Sequence, residues 1–161
     1  LMDLLLYFLK NAEKDLAGKN VRIKVIGKKS GLTEEIFKEI NRVEDSTRRN
    51  DGLVINLAIN YGGREEILGA VKNISEKVKN NELKTEEITP EAFSALLYSN
   101  GCPDPDLLIR TSGEMRISNF LLWQMAYTEY WFTDKLWPDF NKSDLEEAVS
   151  IYSGRSRRYG L

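Results

Sequence analysis

The sequence contains no histidine and only one cysteine in 161 residues. Without histidine, a histidine general base, a histidine-ligated metal and a Ser-His or Cys-His pair are all excluded from this chain. Cys102 has no second cysteine with which to form an internal disulfide, which favours a reducing compartment. Any chemistry in this chain must therefore depend on carboxylates, arginines, hydroxyl groups or backbone dipoles.

Long apolar runs and charge of one sign are also lacking. No apolar stretch approaches the roughly 18 residues that a membrane span requires, and we expect neither a span nor a signal peptide. The formal net charge is −2, which argues against a nucleic-acid-binding protein. The sequence has no GxxxxGK[ST] phosphate loop and no Rossmann fingerprint, which disfavours nucleotide binding. With 42% hydrophobic and 30% charged residues, the composition is that of an ordinary soluble domain.

The apolar periodicity predicts helices that alternate with strands. Thr33 is expected to cap one helix, and Thr89 with Pro90 to begin another. This alternation predicts an α/β fold, a parallel sheet with helices on both faces. The continuously apolar segment 53–60 predicts a central strand that is buried on both faces. The predicted helices cover 1–17, 33–49, 64–80, a short segment after Pro90, 118–126 and a last helix opened by a Ser143-x-x-Glu146 capping box; the predicted strands cover 21–27, 53–60, 106–109 and 127–133.

Four strands make a small sheet with long exposed edges. Because the first residues also read as the middle of a helix, we expect that N-terminal strands of the fold are absent from this chain. The domain prediction is accordingly a single domain over 1–161, truncated at its N-terminus. The alternative is a compact four-stranded domain.

One strand-end loop has the composition of an anion site. Ligands bind outside the carboxyl ends of strands in open parallel sheets, and residues 110–119 follow such a strand. Arg110 and Arg116 offer planar forks that bond two phosphate oxygens at once, and Ser118 adds a hydroxyl at the start of the predicted helix. The alternative is structural: the arginines pair with Glu114 or other acids, and Ser118 only caps the helix.

A second strand-end loop and an apolar wall are less specific. The residues Asn60 to Arg64 include two glycines, which simply permit a tight turn. Apolar residues of the 53–60 strand and of the first helix line a hydrophobic slot in one interpretation and form ordinary core in the other; they are Leu53, Ile55, Leu57 and Ile59, and Leu4, Leu5, Phe8 and Leu9.

Three segments together resemble a known family. They are NYGGR at 60–64, DLLIRTSGEMRISNFLLWQMAYTEYWFTDKLWPDF at 106–140, and RSRRYG near the C-terminus. They resemble the cis-prenyltransferases, and the bacterial undecaprenyl diphosphate synthases most closely, from about Leu1 to Gly160. The resemblance implies a cytoplasmic enzyme, with a peripheral position at the inner membrane face as one option, that adds isopentenyl diphosphate to an allylic (farnesyl) diphosphate with Z double bonds. The implied product is a long-chain polyprenyl diphosphate, of undecaprenyl length, that serves as a lipid carrier for the cell wall.

The resemblance also implies roles for individual residues. Arg110, Arg116 and Ser118 would bind the diphosphate of isopentenyl diphosphate, and Glu129 would be a ligand of Mg²⁺. Arg158 and Gly160 would contact the substrate of a partner subunit in a homodimer.

The family's Asp-Gly-Asn-x-Arg-Trp motif does not occur in this sequence. We therefore assign no catalytic residue to this chain and expect the chain alone to be inactive. The alternative is a non-catalytic partner subunit of a cis-prenyltransferase.

The predicted magnesium ligand raises a question of distance. A continuous helix from Ser118 to Glu129 would separate the two residues by about 16 Å, which is too far for one diphosphate–metal cluster. Either Glu129 serves the site of the other subunit, or the helix ends early and the chain folds back.

Overall fold

The computed structural model describes residues 2–16 and 18–155. The chain divides into two compact units, Leu1–Asn100 and Gly101–Leu161, and each contains one parallel strand pair. The first unit contains α1 (Met2–Asp15), β1 (Val21–Ile26), α2 (Glu34–Thr47), β2 (Leu53–Ala58), α3 (Gly63–Lys79), a 3₁₀ turn (Thr85–Glu87) and α4 (Pro90–Ser94); the second contains β3 (Leu107–Arg110), β4 (Glu129–Phe132), a 3₁₀ turn (Trp137–Asp139) and α5 (Lys142–Ser153).

The first unit is built around β1 and the two helices that flank it in sequence. β1 pairs in parallel with β2, with Val21 opposite Leu53 and Ile26 opposite Ala58. α2 packs on β1, and α1 packs on α2. The core that results is contributed by α1, β1 and α2; it consists of Leu9, Ala12, Ile23, Ile36, Ile40 and Val43.

The outer edge of β1 is closed by side chains of α2. The backbone N–H of Ile23 donates to Thr47 Oγ1 at 3.1 Å, and that of Val25 donates to Glu44 Oε1 at 2.8 Å. These oxygens take the place of a neighbouring strand, so that the donors of this edge are satisfied within the unit.

Two predicted helix starts are confirmed. Thr33 caps α2, and its side chain accepts a hydrogen bond from the N–H of Ile36. Thr89 caps α4, where Pro90 occupies the first helical position and therefore costs no hydrogen bond.

The prediction that segment 53–60 is buried on both faces is wrong. Leu53 is 63% exposed and Val54 is 42% exposed, while Ile55 and Leu57 are half-buried. Among the described residues β2 pairs with β1 alone, so its other edge has no neighbouring strand. A continuous apolar run shows that a segment is hydrophobic, but it does not determine how many other strands that segment pairs with.

The predicted helix over 118–126 is absent. This stretch is a series of turns, in which Ser118, Asn119 and Leu121 have φ values of 48°, 64° and 43°. A right-handed helix requires φ near −63°, so three left-handed residues interrupt it. Within the stretch the N–H of Met125 still donates to the carbonyl of Leu121 at 3.0 Å, but this i→i−4 bond is not continued into a helix.

The last helix begins at a different cap from the predicted Ser143-x-x-Glu146. Asn141 is the cap residue: its side chain accepts from the N–H of Ser143, and Asp144 accepts from the N–H of Asn141 at 2.9 Å. Asparagine and aspartate at this spacing make the same reciprocal pair of bonds as the predicted serine and glutamate.

Half of the predicted apolar wall, four of its eight residues, belongs to the core of the first unit or packs against it. Leu9 is fully buried, and Leu5, Phe8 and Leu57 pack against the core cluster. Leu4, by contrast, is 66% exposed. Separately, no helix in the ranges 2–16 and 18–155 is at once long and apolar enough to cross a lipid bilayer.

Candidate functional site

Two of the predicted phosphate-binding residues are in contact. Arg110 is the last residue of β3 and lies at the carboxyl end of the parallel pair. Its Nη1 donates to the Oγ of Ser118 at 3.2 Å, and the contact is exposed. The strand end and the loop that follows it thus present a guanidinium and a hydroxyl at one place.

The start of this loop is fixed to the chain that follows β4. The N–H of Ser112 donates to the carbonyl of Lys135 at 2.7 Å, and the N–H of Gly113 donates to that of Thr133 at 2.9 Å. Gly113 has a φ of 67°, and a Cβ there would lie 2.9 Å from Asp134 Oδ1. Because glycine adopts this conformation without strain, the position favours glycine.

The same loop holds several other residues in the left-handed region. Besides Ser112 at 69°, they are Ser118, Asn119 and Leu121. A non-glycine residue held there costs of order 1–3 kcal/mol, and such residues concentrate at ligand clamps.

Arg116 forms an ion pair with an acidic residue and is not part of the contact between Arg110 and Ser118. It forms an ion pair with Glu114, as the structural alternative proposed, and its side chain is 62% exposed. The structure therefore joins two of the three predicted residues and leaves the common role of all three a prediction.

A cavity of about 490 Å³ lies beside the loop. Gly113, Met115 and Lys135 help to line it, together with Asp144 from α5; neither arginine of the loop is among its lining residues. Lys135 forms an ion pair with Asp144 and, together with the N–H of Asn141, lowers the pKa of that carboxyl below its ordinary value.

Glu129 lies at the opposite end of the strand pair from Arg110. It is the first residue of β4 and is paired with Leu107, three residues before Arg110, a separation of about 10 Å along the strand. The chain therefore folds back before Glu129, in agreement with one of the two possibilities for this residue. Its Oε2 accepts from Arg155 Nη1 at 2.7 Å, and the same guanidinium nitrogen donates to the carbonyl of Tyr130.

No cluster of acidic side chains marks a metal site among the described residues. Residues 2–16 and 18–155 contain no group of three or more side chains suited to hold a metal, and the Glu129 carboxylate is already neutralised by Arg155. Mg²⁺ can be held by a single carboxylate when substrate phosphates complete its shell, and Glu129 lies at the other end of the strand pair from Arg110. Arg158 and Gly160 lie outside the described residues.

The other predicted strand-end loop, 60–64, is fixed by its first residue. Asn60 has a φ of 50°, and its amide donates to the carbonyls of Lys28 and Ser30 at 3.1 and 3.0 Å. The neighbouring Gly27 leaves room for this approach, since a Cβ there would lie 2.1 Å from the carbonyl oxygen of Ile59. The ends of β1 and β2 are thereby locked together.

A family model described as "Putative undecaprenyl diphosphate synthase" (Prenyltransf) matches residues 1–160. The chain belongs to this prenyltransferase family. An isoprenyl transferase of Fusobacterium nucleatum is 48% identical over 160 residues, which are 99% of this chain and 66% of the relative. An isoprenyl transferase of Clostridium acetobutylicum is 47% identical over 99% of this chain and 63% of its own length. The chain thus spans slightly less than two thirds of these curated relatives.

Two solved structures share the prenyltransferase fold. Lavandulyl diphosphate synthase from Lavandula x intermedia, in complex with dimethylallyl diphosphate, has a TM-score of 0.95 at 38% identity and covers 99% of this chain and 70% of its own. A "probable undecaprenyl diphosphate synthase" from Campylobacter jejuni has a TM-score of 0.85 at 34% identity and covers 99% of this chain and 72% of its own. The predicted family and the α/β class with parallel strands are confirmed.

Within this prenyltransferase chain, sequence analysis missed a buried carboxylate. Glu66 is 2% exposed; it accepts from the hydroxyl of Tyr61 and, at 2.7 Å, from the N–H of Tyr98. Burial, followed by the charges of Glu66 and its neighbour in α3, raises the pKa of the Tyr98 phenol. A signal was present, since Glu66 continues the buried helical stripe of Ala70 and Ile74 at four-residue spacing.

Proposed function

We propose that the whole protein is a cis-prenyltransferase that adds isopentenyl diphosphate units to an allylic diphosphate with Z double bonds. The expected product is a polyprenyl diphosphate of undecaprenyl length. A relative from Coxiella burnetii, 46% identical over all of this chain and 68% of its own, is named ditrans,polycis-undecaprenyl-diphosphate synthase, (2E,6E)-farnesyl-diphosphate specific. That name supports farnesyl diphosphate as the allylic substrate.

The contact between Arg110 and Ser118 at the carboxyl end of β3 carries the proposal. A guanidinium and a hydroxyl meet at the carboxyl end of a strand, where open parallel sheets bind ligands. Each hydrogen bond from a charged group contributes roughly 1.5–3 kcal/mol, so a few of them hold a diphosphate without a nucleotide motif. We assign the diphosphate of isopentenyl diphosphate to this loop.

Arg116 joins the site in this proposal by exchanging its partner. Its ion pair with Glu114 is exposed, and exposed pairs contribute about 0–1 kcal/mol. A diphosphate oxygen offers the guanidinium a stronger, charge-assisted bond. The substrate would therefore displace Glu114 at little cost.

The reaction leaves a binding task to this chain. The C–O bond of the allylic diphosphate breaks, the double bond of isopentenyl diphosphate forms the new C–C bond, and loss of a proton gives the Z double bond while diphosphate leaves. Arg110, Arg116 and Ser118 would hold the donor so that its double bond faces the allylic carbon. We assign no residue of this chain to the proton transfer.

The cofactor and the assembly remain predictions from the resemblance. Mg²⁺ is the expected metal, with Glu129 acting in a site shared with a partner subunit of a homodimer. Arg158 and Gly160 would contact the partner's substrate. The expected location is the cytoplasm, at the inner face of the membrane that receives the lipid product.

The test is steady-state kinetics of the full protein with farnesyl diphosphate, isopentenyl diphosphate and Mg²⁺. Arg110→Ala and Arg116→Ala should each raise KM for isopentenyl diphosphate about 10- to 100-fold, the equivalent of one charge-assisted hydrogen bond. Arg49→Ala, which removes an exposed arginine from the other unit, is the matched control and should leave KM within about twofold.

Equal KM values for all three variants would contradict the assignment of the loop. A full protein that makes no polyprenyl product by itself, but stimulates an active cis-prenyltransferase, would instead support the non-catalytic subunit.

A further inference from the structure

The buried carboxylate of Glu66 has no part in the function described so far. It belongs to the first turns of α3, directly after the strand-end loop 60–64, and its two oxygens accept from two different segments. We propose that Glu66 is a positioning residue for substrate binding: through Tyr61 it holds the 60–64 loop in the conformation that receives a diphosphate. The inference rests on the proposed function, which supplies the diphosphate.

The hydrogen bonds of Glu66 connect the loop to a distant part of the chain. One carboxylate oxygen accepts from the Tyr61 hydroxyl within the loop, and the other accepts from the N–H of Tyr98, which follows α4. The two tyrosine rings meet edge to face with centroids 6.2 Å apart. A buried carboxylate must be hydrogen-bonded to be tolerated, so loss of either donor disturbs the whole arrangement.

The location of Glu66 separates it from the main core of the unit. The core cluster is formed by α1, β1 and α2, and Glu66 is not a member of it. An apolar side chain on the stripe of Ala70 and Ile74 would fill this position without the cost of burying a charge. What a carboxylate adds here is a defined orientation for the loop.

The loop is held from its other flank as well. Asn60 binds the carbonyls of Lys28 and Ser30, and Gly27 admits the backbone of Ile59. A loop fixed on both sides loses little conformational freedom when a ligand binds, and this preorganisation favours affinity.

The chemistry of the loop fits a diphosphate. It follows the carboxyl end of a parallel strand, the expected location for ligands, and consists of an asparagine, a tyrosine, two glycines and Arg64. Glycines let a ligand approach the backbone closely, and a guanidinium binds phosphate oxygens in pairs. The loop would add a contact to a diphosphate whose main site lies elsewhere, either the loop after β3 for isopentenyl diphosphate or the absent motif for the allylic diphosphate. The experiment therefore measures the two substrates separately.

The primary test is Tyr61→Phe in the full protein, which removes the hydroxyl that binds Glu66 and keeps the ring. KM for at least one of the two substrates, farnesyl or isopentenyl diphosphate, should rise about tenfold, as for other partners that orient binding groups. The value of kcat should change less than about threefold, because the loop binds the substrate and does not perform the chemistry.

Two substitutions of Glu66 show whether Tyr61 acts through the carboxylate. Glu66→Ala should raise the same KM, and the double variant should be no worse than the worse single variant, because both remove one interaction. Glu66→Gln should retain much of the affinity, since its amide can accept from Tyr98 and donate to the oxygen of Tyr61. The control is Thr47→Val, which removes a buried hydroxyl that makes two hydrogen bonds at the far end of β1.

The outcomes separate the two proposals. The inference is overturned if Tyr61→Phe raises neither KM more than Thr47→Val does, when the two variants lose a similar amount of melting temperature. It is also overturned if the effects of Tyr61→Phe and Glu66→Ala on KM are additive in the double variant. Absence of polyprenyl product from the unsubstituted full protein would refute the proposed function instead.

Discussion

At the scale of the residue, Gly27 and Gly31 permit a comparison within one short loop. Both have positive φ values, 123° and 88°. A Cβ at Gly31 would meet nothing within 4 Å, whereas one at Gly27 would overlap the carbonyl oxygen of Ile59. Both positions disfavour a side chain through their backbone conformation, and Gly27 alone adds a steric overlap.

Gly27→Ala should therefore destabilise the protein far more than Gly31→Ala. We expect Gly31→Ala to lower the free energy of unfolding by about 1–2 kcal/mol, the cost of a left-handed alanine. Gly27→Ala should cost more than about 4 kcal/mol, because the carbonyl must also move away from the end of β1. Urea titration measures both values, and equal losses would contradict the contact.

Single residues also mark where sequence analysis succeeded and where it did not. Arg110 and Ser118 could be predicted to meet, because a strand end and the loop after it are close in sequence. Glu129 and Arg155 could not, because their contact depends on the chain folding back over 26 residues. For Glu66, helical spacing indicates burial, but the donor Tyr98 could not be predicted because it lies 32 residues away.

At the scale of the element, α5 depends on a carboxylate at its start. Asp144 is buried and accepts from the N–H of Asn141 while it pairs with Lys135. The lysine first, and the backbone N–H second, hold the pKa of Asp144 below its ordinary value of 3.8. The stabilisation from this carboxylate is therefore complete above that value and is lost as the pH falls below it.

Asp144→Asn should accordingly destabilise the protein at pH 7, and the difference from the unsubstituted protein should shrink as the pH falls below about 3.8. Glu146→Gln is the control, since this acid makes an exposed pair with Lys142 in the same helix. Thermal unfolding at several pH values measures both. A difference for Asp144→Asn that stays constant down to pH 3 would contradict the role of the charged carboxylate.

Elements with strong local signals were predicted correctly. α2 and α4 have threonine caps, α1 has an apolar stripe, and α3 begins at a glycine pair, so their physical determinants are within a few residues. Segment 118–126 has an apolar content that suits a helix, yet Ser118, Asn119 and Leu121 adopt left-handed φ values. Nothing in the local pattern encodes that conformation, which the surrounding loop imposes.

At the scale of the whole molecule, the chain belongs to the family along nearly its whole length, but it is shorter than its relatives. The family model covers residues 1–160, and the chain spans 66% of the Fusobacterium nucleatum relative. The resemblance assigns the allylic diphosphate to a motif that this sequence lacks. The described residues supply the loops at two strand ends, one in each unit.

The 161-residue chain alone should therefore make no polyprenyl diphosphate. Incubation with farnesyl diphosphate, labelled isopentenyl diphosphate and Mg²⁺, followed by extraction of lipid products, tests this prediction. The full protein is the positive control, and circular dichroism of the chain should verify that it is folded. Long-chain product from the folded chain would show that the residues of this sequence suffice for catalysis.

The closed edge of β1 has a consequence for self-association. A foreign β-strand that approached this edge would find the amide protons of Ile23 and Val25 already occupied by Thr47 and Glu44. It could not form a regular ladder without first displacing them. Thr47 and Glu44 thus oppose the addition of a further strand from another molecule at this edge. The composition and hydrophobicity of β1 alone do not predict this protection.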